Sequence, residues 1–344
     1  MAKILVIRFS AIGDVAMTVP VVHSWAMQYP QHEIVFLSRP SLAPLFSNLP
    51  KNVTFYSAEL KGKHQGMKGL YTLFKELKAL HFDIVVDLHN VLRTKFLSSL
   101  FKLSGVSTYC LHKGRWEKRK LVRRRNKVLA SQKSSFQRYA DAFEKSGFPV
   151  LLNFTSIYGN QKGDISRLHA ITGEKGELKW IGIAPFSKHK GKIYPLDMQE
   201  EVVAHFAQDS NVKVFLFGGG KEEEDCFNDW TKRYPTVVSL IGKLRMDTEL
   251  ALMSHLDVML SMDSANMHLA SLVNIPVISI WGATHPYAGF MGWKQLPINT
   301  VQVDELCCRP CSVFGQKPCF RGDYACLYGI KPERVIGKIE SIIF

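Results

Sequence analysis

The chain has 344 residues, of which 46 % are hydrophobic and 22 % charged. This balance is that of a globular protein, and the length allows two domains that each bury a core. No apolar run reaches the roughly 18 residues that span a bilayer, and the first apolar run is too short for the core of a signal peptide. We therefore expect a cytoplasmic protein.

Positive charge is concentrated in the first half of the chain. The first 164 residues hold 25 lysines and arginines against 10 aspartates and glutamates, whereas the remainder holds 19 against 20. Such asymmetry indicates an anionic partner: a phosphorylated lipid, a membrane surface or a nucleic acid. A solvated helix face is the simpler alternative for the densest run, but the excess disfavours it. That run includes Arg115, Lys118, Arg119, Arg123, Arg124 and Arg125.

Short apolar runs alternate with helical patterns from the start of the chain. Strands are predicted over residues 3–9, 33–38 and 84–88, and helices over residues 15–29 and 67–80. This alternation predicts βαβ units and a parallel sheet.

The turn after the first strand carries Ser10, Gly13 and Asp14. Ligands in such folds bind at the carboxyl ends of the strands, and Gly13 allows the backbone to approach one closely. A carboxylate there is able to take a proton from a hydroxyl group. From spacing alone, a plain helix cap is the stronger interpretation of Asp14. No dinucleotide fingerprint is present.

The second half repeats the alternation. Strands are predicted over residues 180–184, 212–217, 257–262 and 276–281, and helices over residues 196–208, 248–255 and 267–273. The fold class is therefore α/β, with two Rossmann-like, doubly wound domains facing each other across a cleft. The predicted domains are residues 1–165 and 178–330. A last helix within residues 331–344 is expected to pack back on the first domain.

Three strand-end loops in the second half carry the candidate binding residues. Residues 185–192 are rich in lysine and serine, and Ser187 and Lys192 suit a diphosphate. Glycines 218–220 precede Glu222 and Glu223, either of which is able to accept hydrogen bonds from ribose hydroxyls. An acidic first helical turn is the simpler alternative for these glutamates.

The third loop begins a helix directly after a strand. Asp263 is placed to bind sugar hydroxyls, and the amides of Ser264 and Ala265 to hold phosphate oxygens. His268 lies one turn further on, on the side of Ser264. A lone Asp-Ser pair would be an ordinary cap, but the two preceding loops favour a binding site.

Five of the seven cysteines fall within twenty residues. Reduced thiols that pack a loop are the default interpretation, and we expect no metal. The spacing of Cys308, Cys311, Cys319 and Cys326 leaves structural zinc as the alternative.

Taken in order, these motifs resemble glycosyltransferase family 9, the ADP-heptose:lipopolysaccharide heptosyltransferases. The motifs are residues 10–14, Lys192 with the following Tyr-Pro, the glycine-rich strand end, residues 263–268, and Trp-Gly-Ala-Thr at 281–284. The resemblance implies a GT-B fold and an inverting, metal-independent sugar transferase without a cofactor.

The resemblance also implies roles for single residues. Asp14 matches the catalytic base and Lys192 the lysine on the donor phosphate. Met246 matches the residue beside the adenine, and Asp263 the aspartate that holds the transferred heptose. The family commonly has Thr-Gly where this chain has Ser264 and Ala265, and the donor loop has three lysines instead of acidic residues. Both departures concern the identity of the sugar.

The expected partners follow from this resemblance and from the charge. They are a nucleotide-sugar donor such as ADP-heptose, an anionic lipid-linked saccharide acceptor bound by Ser10, Gly13 and the basic run, and the inner membrane surface, contacted peripherally from the cytoplasm. No recognition motif for nucleic acid accompanies the charge. Two alternatives stay open: a family member that uses another nucleotide sugar, and a binding protein without turnover.

Overall fold

The apolar runs form the strands of two parallel sheets in a computed structural model that describes residues 1–344. The strands are β1 (Lys3–Ile7), β2 (Glu33–Ser38), β3 (Val53–Ser57), β4 (Ile84–Asp87), β5 (Ser107–Cys110), β6 (Lys179–Ala184), β7 (Val212–Leu216), β8 (Val237–Ser239), β9 (Val258–Met262), β10 (Val277–Ile280) and β11 (Thr300–Val301).

The helices alternate with these strands along the chain. They are α1 (Ile12–Ala16), α2 (Val19–Gln28), α3 (Gly66–Lys78), α4 (Leu92–Leu103), α5 (Arg115–Leu121), α6 (Ser135–Lys145), α7 (His169–Thr172), α8 (Leu196–Ala207), α9 (Lys221–Arg233), α10 (Met246–Met253), α11 (Ala265–Leu272), α12 (Ala325–Tyr328) and α13 (Pro332–Ile343). None of them combines the length and apolar character needed to span a membrane.

The first unit comprises Met1–Lys113 and Ser135–Ile157. Its sheet has the order β3-β2-β1-β4-β5, and every pair of neighbours is parallel. The central strands β1, β2 and β4 are apolar on both faces because helices cover the sheet, and the core includes Leu5, Leu73 and Phe101. The strand order reverses between β1 and β4, which makes this point the topological switch point of the unit.

The predicted helix over residues 15–29 is divided into α1 and α2. Pro20 lies in the first turn of α2 and has no amide hydrogen to continue a helix from the preceding turn. The Thr18 hydroxyl donates to the Val15 carbonyl oxygen at 2.6 Å in the junction. The break keeps α1 short, so Asp14 lies in a single helical turn beside the end of β1.

The second unit comprises Gly114–Ser134 and Tyr158–Phe344. Its sheet has the order β11-β10-β9-β6-β7-β8, again with every pair of neighbours parallel. The order reverses between β6 and β9. Each unit thus carries one switch point, where two neighbouring strands send their following loops in opposite directions.

Two segments differ from the domain organisation that the sequence predicts. The predicted first domain includes residues 114–134, but this segment makes its contacts within the second unit. The expectation that α13 packs back on the first domain is wrong. Val335, Ile339 and Ile343 recur with helical spacing and are buried in the core of the second unit, where α13 packs against α8.

Candidate active site

The switch point of the first unit gathers residues that follow β1 and β4. Arg8 comes directly after β1, and Asp87 ends β4. The Asp87 carboxylate is buried and accepts the amide hydrogens of His89 and Asn90, both at 2.8 Å. Burial raises the pKa of Asp87 despite these bonds. These contacts fix the turn that directly follows β4.

Asp14 is held at this edge by a buried arginine. Its Oδ2 atom lies 3.0 Å from Nη2 of Arg8, and the amide of Ala11 donates to the same oxygen at 3.1 Å. The Arg8 side chain is 7 % exposed and also donates to the carbonyl of Leu88, whereas that of Asp14 is 34 % exposed. Asp14 therefore caps α1, as the simpler interpretation has it, and also presents a fixed carboxylate to solvent.

His89 is a neighbour that the sequence analysis did not identify. Its Nδ1 atom accepts the amide of Phe9 and its Nε2 atom lies near the Ser10 hydroxyl, both at 3.4 Å. Burial, and then the charges of Arg8 and Lys113, lower the pKa of His89 to about 4. The imidazole is thus neutral at pH 7, and it lies beside the Ser10 hydroxyl.

Tyr139 approaches the same place from α6. Its hydroxyl donates to the backbone carbonyl of Asp14 at 3.3 Å, and the Arg8 guanidinium lies 5.5 Å from the centre of its ring. Tyr139 is 125 residues from Asp14, so no local pattern could have identified it. Gly13, the other predicted residue of this turn, is buried within α1.

The switch point of the second unit brings Lys192 and Asp263 together. The loop after β6 carries Lys192, and Asp263 follows β9. The Lys192 ammonium lies 2.8 Å from Oδ2 of Asp263, with side-chain exposures of only 14 % and 5 %. It also donates to the Asp263 backbone carbonyl at 3.1 Å, as the Ser187 hydroxyl does at 3.4 Å. Charges removed from water in this way interact strongly, so the pair is a fixed element of the site.

Two glycines allow the approach of Lys192. A Cβ atom on Gly191 would lie 3.0 Å from both the Ala283 side chain and the Gly315 carbonyl. Gly315 has a φ of 78° and packs against the stem of Lys192, where a Cβ would approach to 2.7 Å. The other lysines of this loop are exposed, and the ammonium of Lys190 lies 5.4 Å from the Tyr324 ring centre.

The structure separates the two candidate glutamates. The carboxylate of Glu223 turns back to accept the amide of Gly219 at 2.7 Å, and burial raises its pKa. Glu222 is exposed. Glu223 is therefore the one that lies against the end of β7.

The predicted phosphate-binding residues lie at the start of α11. Ser264 is the N-cap, with its hydroxyl 3.2 Å from that of Ser261, and Ala265 is the first helical residue. His268 is buried one turn further along. Met246 begins α10, which packs against α11. All the residues predicted to hold the donor lie in the second unit, where contacts join Ser187 and Lys192 to Asp263.

The basic run lies in α5 and the coil after it, within the second unit. Lys120, Arg123 and Arg124 of this run flank the exposed rings of Trp116 and Phe320.

The cysteine-rich segment precedes α12. Burial raises the pKa of Cys311 and raises that of Cys326 to about 12, so both are protonated thiols at pH 7. No three histidine, cysteine, aspartate or glutamate side chains form a metal-binding group. Arg309 holds the segment by donating to the carbonyl oxygens of Gly282, Val303, Trp281 and Thr284. Zinc in this segment stays a hypothesis.

Comparison with known proteins places the chain in a family. The sequence profile of glycosyltransferase family 9 (heptosyltransferase) matches residues 70–313. The chain is 26 % identical to the lipopolysaccharide core heptosyltransferase OpsX of Haemophilus influenzae, covering 83 % of this chain and 80 % of the relative. It is 24 % identical to lipooligosaccharide heptosyltransferase 2 of the same organism, covering 99 % of each.

Solved structures give the same result for the fold. A family 9 glycosyltransferase from Veillonella parvula matches with a TM-score of 0.73 at 18 % identity, over 99 % of this chain and 97 % of that one. Escherichia coli heptosyltransferase II matches with 0.71 at 18 % identity, over 100 % and 98 %. E. coli WaaC with ADP-2-deoxy-2-fluoro heptose matches with 0.66 at 17 % identity, over 98 % and 99 %. The GT-B fold class is confirmed, and the chain belongs to glycosyltransferase family 9, the heptosyltransferases.

Proposed function

We propose that this glycosyltransferase moves a heptose from ADP-heptose to the inner core of lipopolysaccharide, with inversion at the anomeric carbon and without a metal ion. One observation carries the proposal: a solvent-facing, fixed carboxylate at one switch point and a buried lysine–aspartate pair at the other. The names of the relatives and the ADP-heptose analogue bound to WaaC support the donor and the acceptor.

In the proposed mechanism, Asp14 removes a proton from an acceptor hydroxyl, and the oxygen attacks the anomeric carbon in a single displacement. ADP leaves as the bond between the anomeric carbon and the phosphate oxygen breaks. Lys192 compensates the charge that develops on the diphosphate. The amides of Ser264 and Ala265, at the positive end of α11, assist it.

The remaining donor contacts follow from the placement of the side chains. Glu223 would accept hydrogen bonds from the ribose hydroxyls at the end of β7, and Met246 would lie beside the adenine. Asp263 would orient the heptose. Because Lys192 already contacts Asp263 at 2.8 Å, one lysine is able to link the sugar-binding carboxylate to the phosphate.

The acceptor proposal rests on charge. Ser10 and Gly13 lie in the turn that carries Asp14 and would contact the acceptor sugar. A lipid-linked acceptor with phosphates and acidic sugars, at the cytoplasmic face of the inner membrane, suits a protein with a net charge of +14. Arg115, Lys118, Arg119, Arg123, Arg124 and Arg125 would attract this acceptor and its membrane. We propose no nucleic-acid partner.

The test begins with a screen of nucleotide sugars for protection against thermal unfolding. A ligand present at 100 times its Kd adds about 2.7 kcal/mol to the free energy of unfolding. ADP-heptose is expected to protect more than UDP- or GDP-sugars, and transfer to a heptose-deficient lipopolysaccharide acceptor is expected to follow. Stronger protection by another nucleotide sugar would favour a different donor. Protection without transfer would favour a binding protein.

A further inference from the structure

The basic run belongs to a mixed surface that also carries exposed apolar side chains. We name the basic–aromatic face as α5, the coil to residue 129 and the loop 314–321, all in the second unit. Trp116 is 59 % exposed, Leu129 58 % and Phe320 50 %. Between residues 113 and 134 there are ten lysines and arginines and a single glutamate. Exposed rings in so basic a segment have no role in the two donor- and acceptor-binding edges described above.

Cations cover the exposed rings of this face. The Arg124 guanidinium lies 4.1 Å from the centre of the Phe320 ring, and Lys120 and Arg123 lie 5.1 and 5.7 Å from that of Trp116. Cation–π contact of this kind keeps a ring and a positive charge side by side on one surface. A partner of this face must therefore contact apolar rings and positive charges that lie side by side.

A lysine side chain of the basic coil holds residues 307–310, the segment that leads into the loop with Phe320. The Lys127 ammonium donates to the carbonyl oxygens of Cys307, Arg309 and Pro310 at 2.7–3.1 Å. Arg309 is itself buried and bonded to the carbonyls around β10. The face is therefore a supported surface of the second unit, although much of it lacks regular secondary structure.

From these contacts we propose that the basic–aromatic face docks on an anionic lipid bilayer. Aromatic side chains are favoured at the level of the lipid headgroups, where arginine and lysine reach the phosphates while their stems lie on apolar surface. Anionic lipids attract basic clusters on peripheral proteins. The inference rests on the proposed function in one respect, since a lipid-linked acceptor brings the enzyme to a bilayer.

The proposal adds an attraction to the bulk lipid to the attraction of the acceptor proposed above for the basic run. Binding should accordingly occur on vesicles that contain no acceptor. It should have a charged component that salt screens and an apolar component that salt does not. If the face instead bound nucleic acid, salt should screen nearly all of the binding, because phosphate contacts dominate such affinity.

The experiment is co-sedimentation of the full chain with vesicles of phosphatidylethanolamine and phosphatidylglycerol, with phosphatidylcholine vesicles as the neutral reference. The parent should bind the anionic vesicles only. Replacing Arg123, Arg124 and Arg125 by Ser should weaken binding at low salt by at least about tenfold. Trp116→Ser with Phe320→Ser should weaken it by roughly fivefold at all salt concentrations.

Matched controls come from α3 of the first unit, where Lys75 lies 4.9 Å from the ring centre of the exposed Tyr71. Tyr71→Ser, and the exposed Lys68, Lys75 and Lys78 changed together to Ser, should leave vesicle binding within about twofold of the parent. Thermal unfolding of each variant shows whether it is folded. Equal losses in the α3 variants and in the basic–aromatic face variants would overturn the proposal, because net charge alone would then explain binding.

Activity separates docking from catalysis. With a water-soluble acceptor that lacks acyl chains, the Trp116→Ser, Phe320→Ser variant should keep the parent's kcat and KM. With the acceptor in anionic vesicles, its apparent KM should rise by roughly fivefold. Binding that requires acceptor in the vesicle, or that single-stranded nucleic acid matches in affinity and salt dependence, would overturn the proposal. Vesicle binding without any transfer would instead contradict the proposed function.

Discussion

The two switch points each contain a carboxylate paired with a basic side chain, but they differ in whether the carboxylate is buried. In the first unit the cation, Arg8, is buried and the carboxylate of Asp14 faces solvent. In the second unit both Lys192 and Asp263 are buried. A carboxylate that is fixed from behind and open in front is available to a hydroxyl group. A desolvated pair instead presents a fixed arrangement of charge, which suits the binding of a substrate more than proton transfer.

The sharpest way to break this contrast is Asp14→Asn. Asparagine keeps the size and the capping contact but is unable to accept a proton, so turnover should fall roughly 10²–10⁴-fold. ADP affinity, measured by calorimetry, should stay that of the parent because the donor residues lie in the second unit. Transfer within threefold of the parent would remove Asp14 from the mechanism.

Arg8→Lys sharpens the same point. Lysine preserves the charge but lacks the fork that contacts both Asp14 and the Leu88 carbonyl. We expect an intermediate loss of kcat, about tenfold, with KM for the donor unchanged. A shift of the pH–rate profile should accompany it, because Arg8 acts through the carboxylate. Loss of ADP binding in this variant would mean that Arg8 supports the fold as a whole.

The second pair should respond differently to loss of either partner. Lys192→Ala leaves a buried carboxylate without compensation and should lower the free energy of unfolding by about 3 kcal/mol, as well as ADP affinity. Asp263→Ala should cost less stability, because the lysine stem is able to move its ammonium toward water. Calorimetry with ADP and denaturant titration measure both effects. Unchanged ADP affinity in both variants would place the donor elsewhere.

The last prediction concerns pH. Since the pKa of His89 is lowered to about 4, the folded state favours the neutral imidazole, whereas the unfolded chain takes up a proton near pH 6.5. This contribution to stability is present above pH 6.5 and is lost as the pH falls toward 4. Between pH 7 and 4.5, the free energy of unfolding should therefore fall by about 2 kcal/mol less in His89→Gln than in the parent. Denaturant titration at the two pH values measures both decreases. A parallel pH dependence in parent and variant would contradict it.

Sequence patterns were sufficient for features that depend on neighbours along the chain. The strands, and their alternation with helices, could be predicted because buried parallel strands are continuous apolar runs. Lys192 and Asp263 could be placed at strand ends because each follows such a run. The break between α1 and α2 was visible in Pro20 but was not predicted, since the apolar pattern continues through it.

Features that depend on distant contacts could not be read in this way. His89 and Tyr139 contact residues just after β1, although they are 80 and 125 positions away from them in the sequence. The placement of α13 was decided by the core that Val335, Ile339 and Ile343 enter. That of residues 114–134 depends on contacts far along the chain, such as those of Lys127. Charge and periodicity say that such a segment covers something, but they do not say which surface it covers.

Residues 114–134 belong to the second unit although first-unit residues flank them in the sequence, and this has a consequence for biosynthesis. The first unit has all of its parts once Ile157 has left the ribosome. Lys127, however, depends on carbonyl groups 180 and more residues further along the chain. At roughly 5–20 residues per second, these groups appear about 10–40 seconds later. During that interval the first unit, which flanks residues 114–134 in the sequence, is already free to fold. The most basic stretch of the chain stays exposed until the carbonyl groups that Lys127 contacts have been synthesised.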